Sequence, residues 1–324
     1  MRILFITSNR IGDAVLSTGL LARLLERHPG ASVTIACGPV AAPLFAAVPG
    51  LERVLAMPKR KRGGHWWTLW REVVGIRWDL VVDLRASAFA WTVSAGRRRV
   101  FRPTKTPEHR VVQLGRLLGS EAPPDPTLWT AASHDAAAEA LLPAGGPVLG
   151  IGPTANWIGK QWPAERFAET VLRLTGADGA LAGARVAVFG APSERAAAAA
   201  VLDAVPAGRC IDLVGGVDLL TVFACLRRCT LYLGNDSGLM HMAAAAGTAT
   251  LGLFGPSPEA NYAPWGRRTR VVRGPLSYRD IVDSVDFHHL SGRSYMDSLT
   301  VDAVVAAAER LLQPTDEAAE APRA

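Results

Sequence analysis

The segment from 231 to 247 combines a buried strand pattern, a short polar junction and an alanine-rich helix. Asp236 directly follows the apolar strand, and His241 lies on the first turns of the helix. Because the first helical residues are small, their free backbone N–H groups can approach a diphosphate without side-chain interference. A simple helix cap at Asp236 is the alternative, but a cap requires neither the adjacent Ser-Gly pair nor a histidine. The segment therefore predicts a phosphate site, whose donor-binding candidates are Asp236, Ser237, Gly238, Leu239 and His241.

A second loop with a candidate cation follows the predicted strand 148–152. This loop contains Lys160, the only lysine after Lys105 in an arginine-rich chain. An ammonium group at the carboxyl end of a strand can neutralise phosphate charge and stabilise a departing diphosphate. An ordinary surface lysine is the alternative. We predict that Lys160 is a catalytic and donor-binding residue, and that Asn156 in the same loop binds the donor.

A carboxylate lies at the junction between the first predicted strand and the helix that follows it. Gly12 permits a close turn there, and Asp13 opens an apolar-periodic helix. Asp13 is either a helix N-cap, which stabilises by about 1 kcal/mol, or a general base directed into a cleft. A dinucleotide-binding loop would need a second glycine two residues from Gly12, and its absence disfavours an oxidoreductase. The acceptor-side candidates are Asn9, Gly12 and Asp13.

A further carboxylate, Glu194, follows the predicted strand 185–189. At this place in Rossmann-like sheets a carboxylate can accept hydrogen bonds from ribose hydroxyls. The alternative is a glutamate in the first turn of a helix, where the helix dipole favours a negative charge. The sequence leaves both interpretations open, and Glu194 joins the donor-binding candidates.

These loops need a framework that brings them to one edge. Short β-branched runs alternate with amphipathic or alanine-rich stretches, which is the pattern of βαβ units around parallel sheets. The series restarts after the proline- and glycine-rich stretch 143–147, which marks a linker. We therefore predict an α/β chain with two Rossmann-like domains, in which ligands bind at the carboxyl ends of the strands. The predicted parts are the domains 1–143 and 148–300, a C-terminal helix 301–312 and a disordered tail 313–324.

The predicted strands fall into two series, one in each half. Those of the first half are 3–7, 33–37, 54–57 and 80–84, and those of the second half are 148–152, 185–189, 211–214, 231–233 and 251–254.

The composition limits the class of protein. At 324 residues, 49% hydrophobic and 20% charged, the chain is typical of a globular protein, and no apolar stretch reaches the length of a membrane span. Four unevenly spaced cysteines and the lack of a visible export signal predict a cytoplasmic protein. The net charge of +6 favours an anionic partner.

Taken together in chain order, four motifs resemble glycosyltransferase family 9, the heptosyltransferase-like enzymes of lipopolysaccharide core assembly. The resemblance runs over nearly the whole chain, and the ordered set is more specific than any single motif. The motifs are Gly12-Asp13-x-x-Leu16-x-Thr18, Lys160-x-Trp162-Pro163, Asp236-Ser237-Gly238-x-Met240-His241 and Leu253-Phe254-Gly255-Pro256.

The resemblance implies a GT-B architecture, with the two parallel sheets facing a central cleft. It implies that the N-terminal domain holds the acceptor and the C-terminal domain holds the nucleotide sugar. It also implies inversion at the anomeric carbon without a metal or other cofactor. The implied roles are a base for Asp13, a diphosphate ligand for Lys160, phosphate-binding backbone for Ser237 and Gly238, a sugar-hydroxyl ligand for Asp236 and support of the same loop for His241.

The predicted function is transfer of a sugar, with heptose from ADP-heptose as the leading candidate, onto a lipopolysaccharide-core or other lipid-linked glycan. A nucleotide-sugar epimerase on the same architecture is one alternative, and a non-catalytic nucleotide-sugar-binding protein is another. The joint presence of Asp13, Lys160 and Asp236 argues against loss of activity.

A basic segment at Lys59–Arg62 directly precedes three tryptophans, Trp66, Trp67 and Trp70. Cations beside tryptophans suit an anionic, lipid-linked acceptor and a peripheral contact with the anionic inner membrane. A solvated basic loop followed by a core helix face is the alternative. The chain contains no recognised nucleic-acid-binding module, so we expect no nucleic-acid partner.

Overall fold

The computed structural model describes residues 1–104, 106–119, 122–289 and 292–313, and the predicted tail lies outside these ranges except for Gln313. Two parallel sheets form the framework. The first has the order β3-β2-β1-β4-β5 and the second the order β11-β10-β9-β6-β7-β8. The strands are β1 Arg2–Ile6, β2 Ser32–Cys37, β3 Leu51–Ala56, β4 Trp78–Asp83, β5 Ala95–Val100, β6 Val148–Gly152, β7 Arg185–Gly190, β8 Cys210–Val214, β9 Leu231–Asn235, β10 Ala249–Phe254 and β11 Thr269–Arg273.

Helices connect the strands and cover the sheets, because parallel strands need crossover connections. They are α1 Ile11–Arg27, α2 Gly64–Val73, α3 Arg110–Gly115, α4 Ala132–Leu141, α5 Ala164–Thr175, α6 Arg195–Ala204, α7 Leu219–Leu226, α8 Gly238–Ala245, α9 Glu259–Tyr262, α10 Tyr278–Val282 and α11 Val301–Leu312. None of the described helices is long and apolar enough to cross a bilayer.

The two halves share a continuous hydrophobic core. Helix α1 packs against α8 and α4 packs against α7, so the largest buried cluster contains residues of both sheets. A second cluster lies between the second sheet, α5 and α11. A third lies beneath α2 in the N-terminal half. Because α1 follows β1 and α8 follows β9, the packing of α1 on α8 joins the two halves next to these strands.

The α/β framework with two parallel sheets is confirmed, and nine of the eleven strands lie within about three residues of their predicted bounds. The sequence interpretation missed β5 and β11, which are edge strands. Each is rich in arginine, so neither shows the apolar run of a buried strand. It also missed α4, which precedes the predicted linker but packs against α7 of the other half.

Candidate active site

The loop after β6 and the start of α8 are joined by an ion pair. Lys160 Nζ donates to Asp236 Oδ2 over 2.6 Å, and the two side chains are 25% and 7% exposed. Asp236 Oδ1 lies 3.9 Å from Nε2 of His241. Sequence analysis placed these three residues in one donor site, and the structure brings their side chains together.

His241 is neutral over the ordinary pH range. Burial lowers the pKa of its imidazole from 6.5 to about 4, although the negative charges of Asp236 and Asp13 act in the opposite direction. The ring therefore supplies a neutral hydrogen-bonding surface rather than a second cation. Its Nδ1 atom is buried and has no hydrogen-bond partner among the described residues.

Asn235, which the sequence interpretation did not single out, fixes the position of the lysine loop. Its Oδ1 accepts from the backbone N–H of Trp162 over 3.0 Å, and its Nδ2 donates to the Pro153 carbonyl over 2.8 Å. The residue is fully buried at the end of β9. An amide at the end of an otherwise apolar strand was the available signal, because a buried polar group needs partners.

Helix α8 begins with an N-terminus that has no side-chain cap. Ser237 occupies the N-cap position without a side-chain cap, and Gly238 is the first helical residue. The alternative interpretation of Asp236 as a cap is therefore wrong, because its carboxylate is bound to Lys160 instead. Leu239 is half-buried on the first turn, where the free N–H groups of the helix are found.

Helices α1 and α8 meet at two glycines. A Cβ atom added to Gly12 would lie 2.9 Å from Cδ2 of His241, and one added to Gly238 would lie 2.6 Å from Cγ2 of Ile11. Both distances are too short for ordinary van der Waals contact, so this crossing requires residues without a side chain. The contact brings Asp13 of the first half close to the donor-side cluster of the second.

Asp13 is the third residue of α1, and the helix has Arg10 at its N-cap position. The interpretation of Asp13 as the N-cap is therefore wrong, because the N-cap position lies three residues earlier, at Arg10. The carboxylate is half-buried, and its Oδ2 accepts a long 3.5 Å hydrogen bond from the Ser8 hydroxyl. Its weak bonding leaves lone pairs for a proton.

Asp13 lines a cavity of about 290 Å³ together with Arg85, Arg110, Phe101 and Tyr262. The cavity therefore combines one carboxylate with two guanidinium groups and apolar rings. Arg110 donates to the Tyr262 hydroxyl over 3.0 Å, which links this cavity to the C-terminal half. Such a cavity can hold a polar molecule that carries negative charge.

A tight turn after β4 positions Arg85. Asp83, fully buried at the end of the strand, accepts from the backbone N–H groups of Arg85 and Ser87 over 2.8 and 3.2 Å. Ala86 lies in the left-handed region with φ 53°. Arg85 in turn donates to Oδ1 of the acceptor-side candidate Asn9 over 3.2 Å. Sequence analysis missed Arg85 and Arg110, although Asp83 at a strand end was a signal for this turn.

The two other donor-side candidates are Glu194 and Asn156. Glu194 is half-buried directly before α6, and its Oε2 accepts from the backbone N–H of Ala191 over 2.8 Å. Asn156 is exposed in the loop that carries Lys160. Both follow strands of the second sheet, which is where a nucleotide binds in Rossmann-like domains.

Two parallel α/β sheets, with polar loops that follow their strands, define the class: a two-domain glycosyltransferase of GT-B architecture. The sequence matches the family model of glycosyltransferase family 9 (heptosyltransferase) over residues 109–285, which is more than half of the chain. The chain belongs to glycosyltransferase family 9, and it is a glycosyltransferase.

Curated relatives and solved structures agree with this assignment. The chain is 25% identical to lipopolysaccharide heptosyltransferase 2 of Salmonella typhimurium, over 87% of this chain and 90% of that protein. Its fold matches the E. coli ADP-heptose lps heptosyltransferase II with a TM-score of 0.74 at 21% identity, covering 96% and 98% of the two chains. A family 9 glycosyl transferase from Veillonella parvula matches with a TM-score of 0.79 at 21% identity, covering 96% and 97%. The predicted GT-B architecture is thereby confirmed, and the transferase interpretation is favoured over the epimerase and non-catalytic alternatives.

Proposed function

We propose that this enzyme transfers a heptose from an ADP-heptose donor onto a lipopolysaccharide-core or related lipid-linked glycan, with inversion and without a metal. The observation that carries the proposal is the contact between Gly12 and His241. Asp13 is the next residue after Gly12, and His241 lies 3.9 Å from Asp236 of the Lys160–Asp236 pair, which supports one site built from both halves of the chain. Relatives named lipopolysaccharide heptosyltransferase 2, aligned over most of both chains, support the choice of sugar and acceptor.

In the proposed reaction Asp13 removes the proton from an acceptor hydroxyl. The freed oxygen forms a bond to the anomeric carbon, on the face opposite the bond to the nucleoside diphosphate, which breaks and so inverts the centre. The ammonium of Lys160 and the N-terminus of α8, at Ser237 and Gly238, stabilise the negative charge that develops on the leaving diphosphate. These groups supply positive charge at the leaving diphosphate without a metal ion.

The other proposed donor contacts are inferred from the place of each residue in the loops after the strands of the second sheet. Asp236 accepts hydrogen bonds from the donor sugar, and His241 supports its loop from the helix side. Leu239 contributes backbone on the first turn of α8, and Asn156 reaches the donor from the lysine loop. Glu194 binds the ribose hydroxyls through its carboxylate.

The cavity around Asp13 is the proposed acceptor site. Arg85 and Arg110 line it, and each side chain is a permanent cation that pairs well with carboxylate or phosphate groups. Asn9 and Gly12 shape the edge next to α1. The cavity therefore fits an acceptor glycan that carries anionic groups close to the reacting hydroxyl.

The N-terminal half also presents a surface for an anionic lipid membrane. A groove of about 420 Å³ with an almost wholly apolar lining runs between α2 and residues 87–92. Trp67 and Trp91 are 61% and 67% exposed, whereas Leu69 and Val73 form the buried face of α2. The basic segment Lys59–Arg62 directly precedes the helix, and its exposed charges complement an anionic surface.

This surface adjoins the acceptor cavity. The guanidinium of Arg85, which lines the cavity, lies 4.9 Å from the ring of Trp66, which lines the groove. A membrane-anchored glycan could therefore enter the cavity while its lipid stays in the bilayer. We propose that the enzyme acts in the cytoplasm, as a peripheral protein on the inner membrane.

The proposal is tested by incubating the purified enzyme with ADP-heptose in the presence and absence of a truncated lipopolysaccharide-core acceptor, with excess EDTA. We expect ADP release and glycosylated acceptor only when both substrates are present. A modified sugar formed from the donor alone would instead indicate an epimerase. A thermal-shift comparison of ADP, GDP, UDP and dTDP identifies the base, because a ligand that binds only the folded state raises its stability.

A further inference from the structure

A tyrosine inside the second sheet points its hydroxyl group at the proposed diphosphate site. Tyr232 lies on β9 directly opposite Gly150 of β6, and its side chain is fully buried. Because side chains alternate along a strand, the ring lies on the same face as the next opposed pair, Gly152 and Gly234. That pair is the last before the carboxyl edge of the two strands.

The three glycines make the room that the ring occupies. A Cβ atom at Gly150 would lie 3.4 Å from the ring, one at Gly234 would lie 2.5 Å from the hydroxyl oxygen, and one at Gly152 would overlap that oxygen. Three glycines in central strands weaken a sheet. If Tyr232 served only to fill space, a smaller side chain at this position would do so without the need for three glycines. The glycines instead leave space for the tyrosine side chain, so that its hydroxyl oxygen lies at the carboxyl ends of the two strands.

The oxygen at the end of this side chain is buried and lacks a partner. Tyr232 Oη and Ser237 Oγ are both buried, and neither has a hydrogen-bond partner of normal geometry within the described ranges. Burial raises the pKa of the phenol strongly, while the nearby Ser237 hydroxyl lowers it, so the group stays protonated and able to donate. Leaving a buried hydroxyl unpaired is destabilising, which favours a use for it in the ligand-bound enzyme.

We propose that Tyr232 is a positioning residue for the donor diphosphate, acting through the hydroxyl of Ser237. Resting on the proposed function, the phenol donates a hydrogen bond to Ser237 Oγ, and this bond orients the serine hydroxyl to donate to a phosphate oxygen at the start of α8. A hydroxyl group can accept one hydrogen bond while donating another, so the chain needs no further group. Tyr232 itself stays buried and does not touch the donor.

The test is a mutant cycle read out by binding and by kinetics. ADP affinity is measured by calorimetry for the wild type, Tyr232→Phe, Ser237→Ala and the double variant. We expect each single variant to bind ADP about three- to tenfold more weakly, and the double variant to bind no more weakly than the worse single one. The donor KM of Tyr232→Phe should rise by a similar factor, with kcat within about twofold of wild type.

Stability separates this role from a packing role. Without donor the Tyr232 hydroxyl has no partner of normal geometry, so Tyr232→Phe should leave the melting temperature of the ligand-free enzyme unchanged or raise it. Thr175→Val is the matched control, since it removes a buried hydroxyl at the far end of α5, where Thr175 Oγ1 donates to the Val171 carbonyl over 2.9 Å. That variant should bind ADP as the wild type does.

Two outcomes would overturn the inference. Unchanged ADP affinity in Tyr232→Phe, with Lys160→Ala weakened as expected, would refute the role of Tyr232 and leave the proposed donor site standing. Independent losses that add in the double variant would also refute it, because they would show no coupling through Ser237. Absence of ADP binding by the wild type would instead contradict the proposed function.

Discussion

His241 makes the stability of the enzyme depend on pH in a defined way. Its pKa is about 4 in the folded protein and 6.5 for the unperturbed side chain, so the unfolded chain takes up the proton first as the pH falls. The group therefore favours the folded state fully above pH 6.5, and this contribution is lost as the pH falls through about 4. At about 1.4 kcal/mol per pKa unit, the loss amounts to about 3 kcal/mol.

The assay is urea denaturation of the wild type and of His241→Asn at several values between pH 7 and pH 4. The variant will be less stable throughout, because the side chain is only 5% exposed and packs against Gly12. The informative quantity is the difference between the two curves, in which other titrating groups such as Asp83 cancel. We expect this difference to shrink by about 3 kcal/mol on acidification.

His28→Asn serves as the control, since His28 lies half-buried at the end of α1 and away from the site. This variant controls for the loss of an imidazole outside the site. A constant difference between wild type and His241→Asn over the whole range would refute the argument, because it would mean that the imidazole titrates at the same pH in both states.

The remaining predictions concern donor use and membrane contact. Lys160→Ala and Asp236→Ala should each raise the donor KM at least tenfold in steady-state assays, because they remove the two partners of the 2.6 Å ion pair, and unchanged kinetics in both would contradict the donor site. Exchanging the four residues Lys59–Arg62 for glutamine should reduce co-sedimentation with anionic vesicles at low salt at least tenfold, since each basic residue near such a surface contributes about 1 kcal/mol. Exchanging the exposed Arg267 and Arg268 in the other half is the control, and equal binding by both variants would refute the membrane surface.

The sequence predicts local features of this site well and long-range contacts poorly. The proximity of Asp236 and Lys160 was predictable because each lies in a loop that follows an apolar strand, and the carboxyl ends of parallel strands lie at one edge of a sheet. The edge strands β5 and β11 were missed because their arginines interrupt the apolar run that indicates a buried strand. The N-cap of α1 was placed three residues late, because Asp13 is a favourable N-cap residue, whereas Arg10 is not.

Contacts between the two halves could not be derived from either half alone. The approach of Gly12 to His241 depends on how α1 packs against α8, and one-dimensional periodicity carries no information about that crossing. The same holds for Arg110 and Tyr262, which meet across the cleft. A glycine in the first turn of each helix was the sequence feature that indicated this close approach.

The identity of the base is the central claim of the mechanism. Asp13→Asn keeps the size of the side chain and can still accept a hydrogen bond from Ser8, but an amide cannot take a proton from the acceptor hydroxyl. The decisive measurement is the turnover number of this variant at saturating substrates, together with its dissociation constant for ADP and its melting temperature. We predict that turnover falls by about 10²–10⁴-fold while nucleotide affinity and melting temperature stay close to wild type. Turnover near the wild-type value would contradict the account and exclude Asp13 as the base.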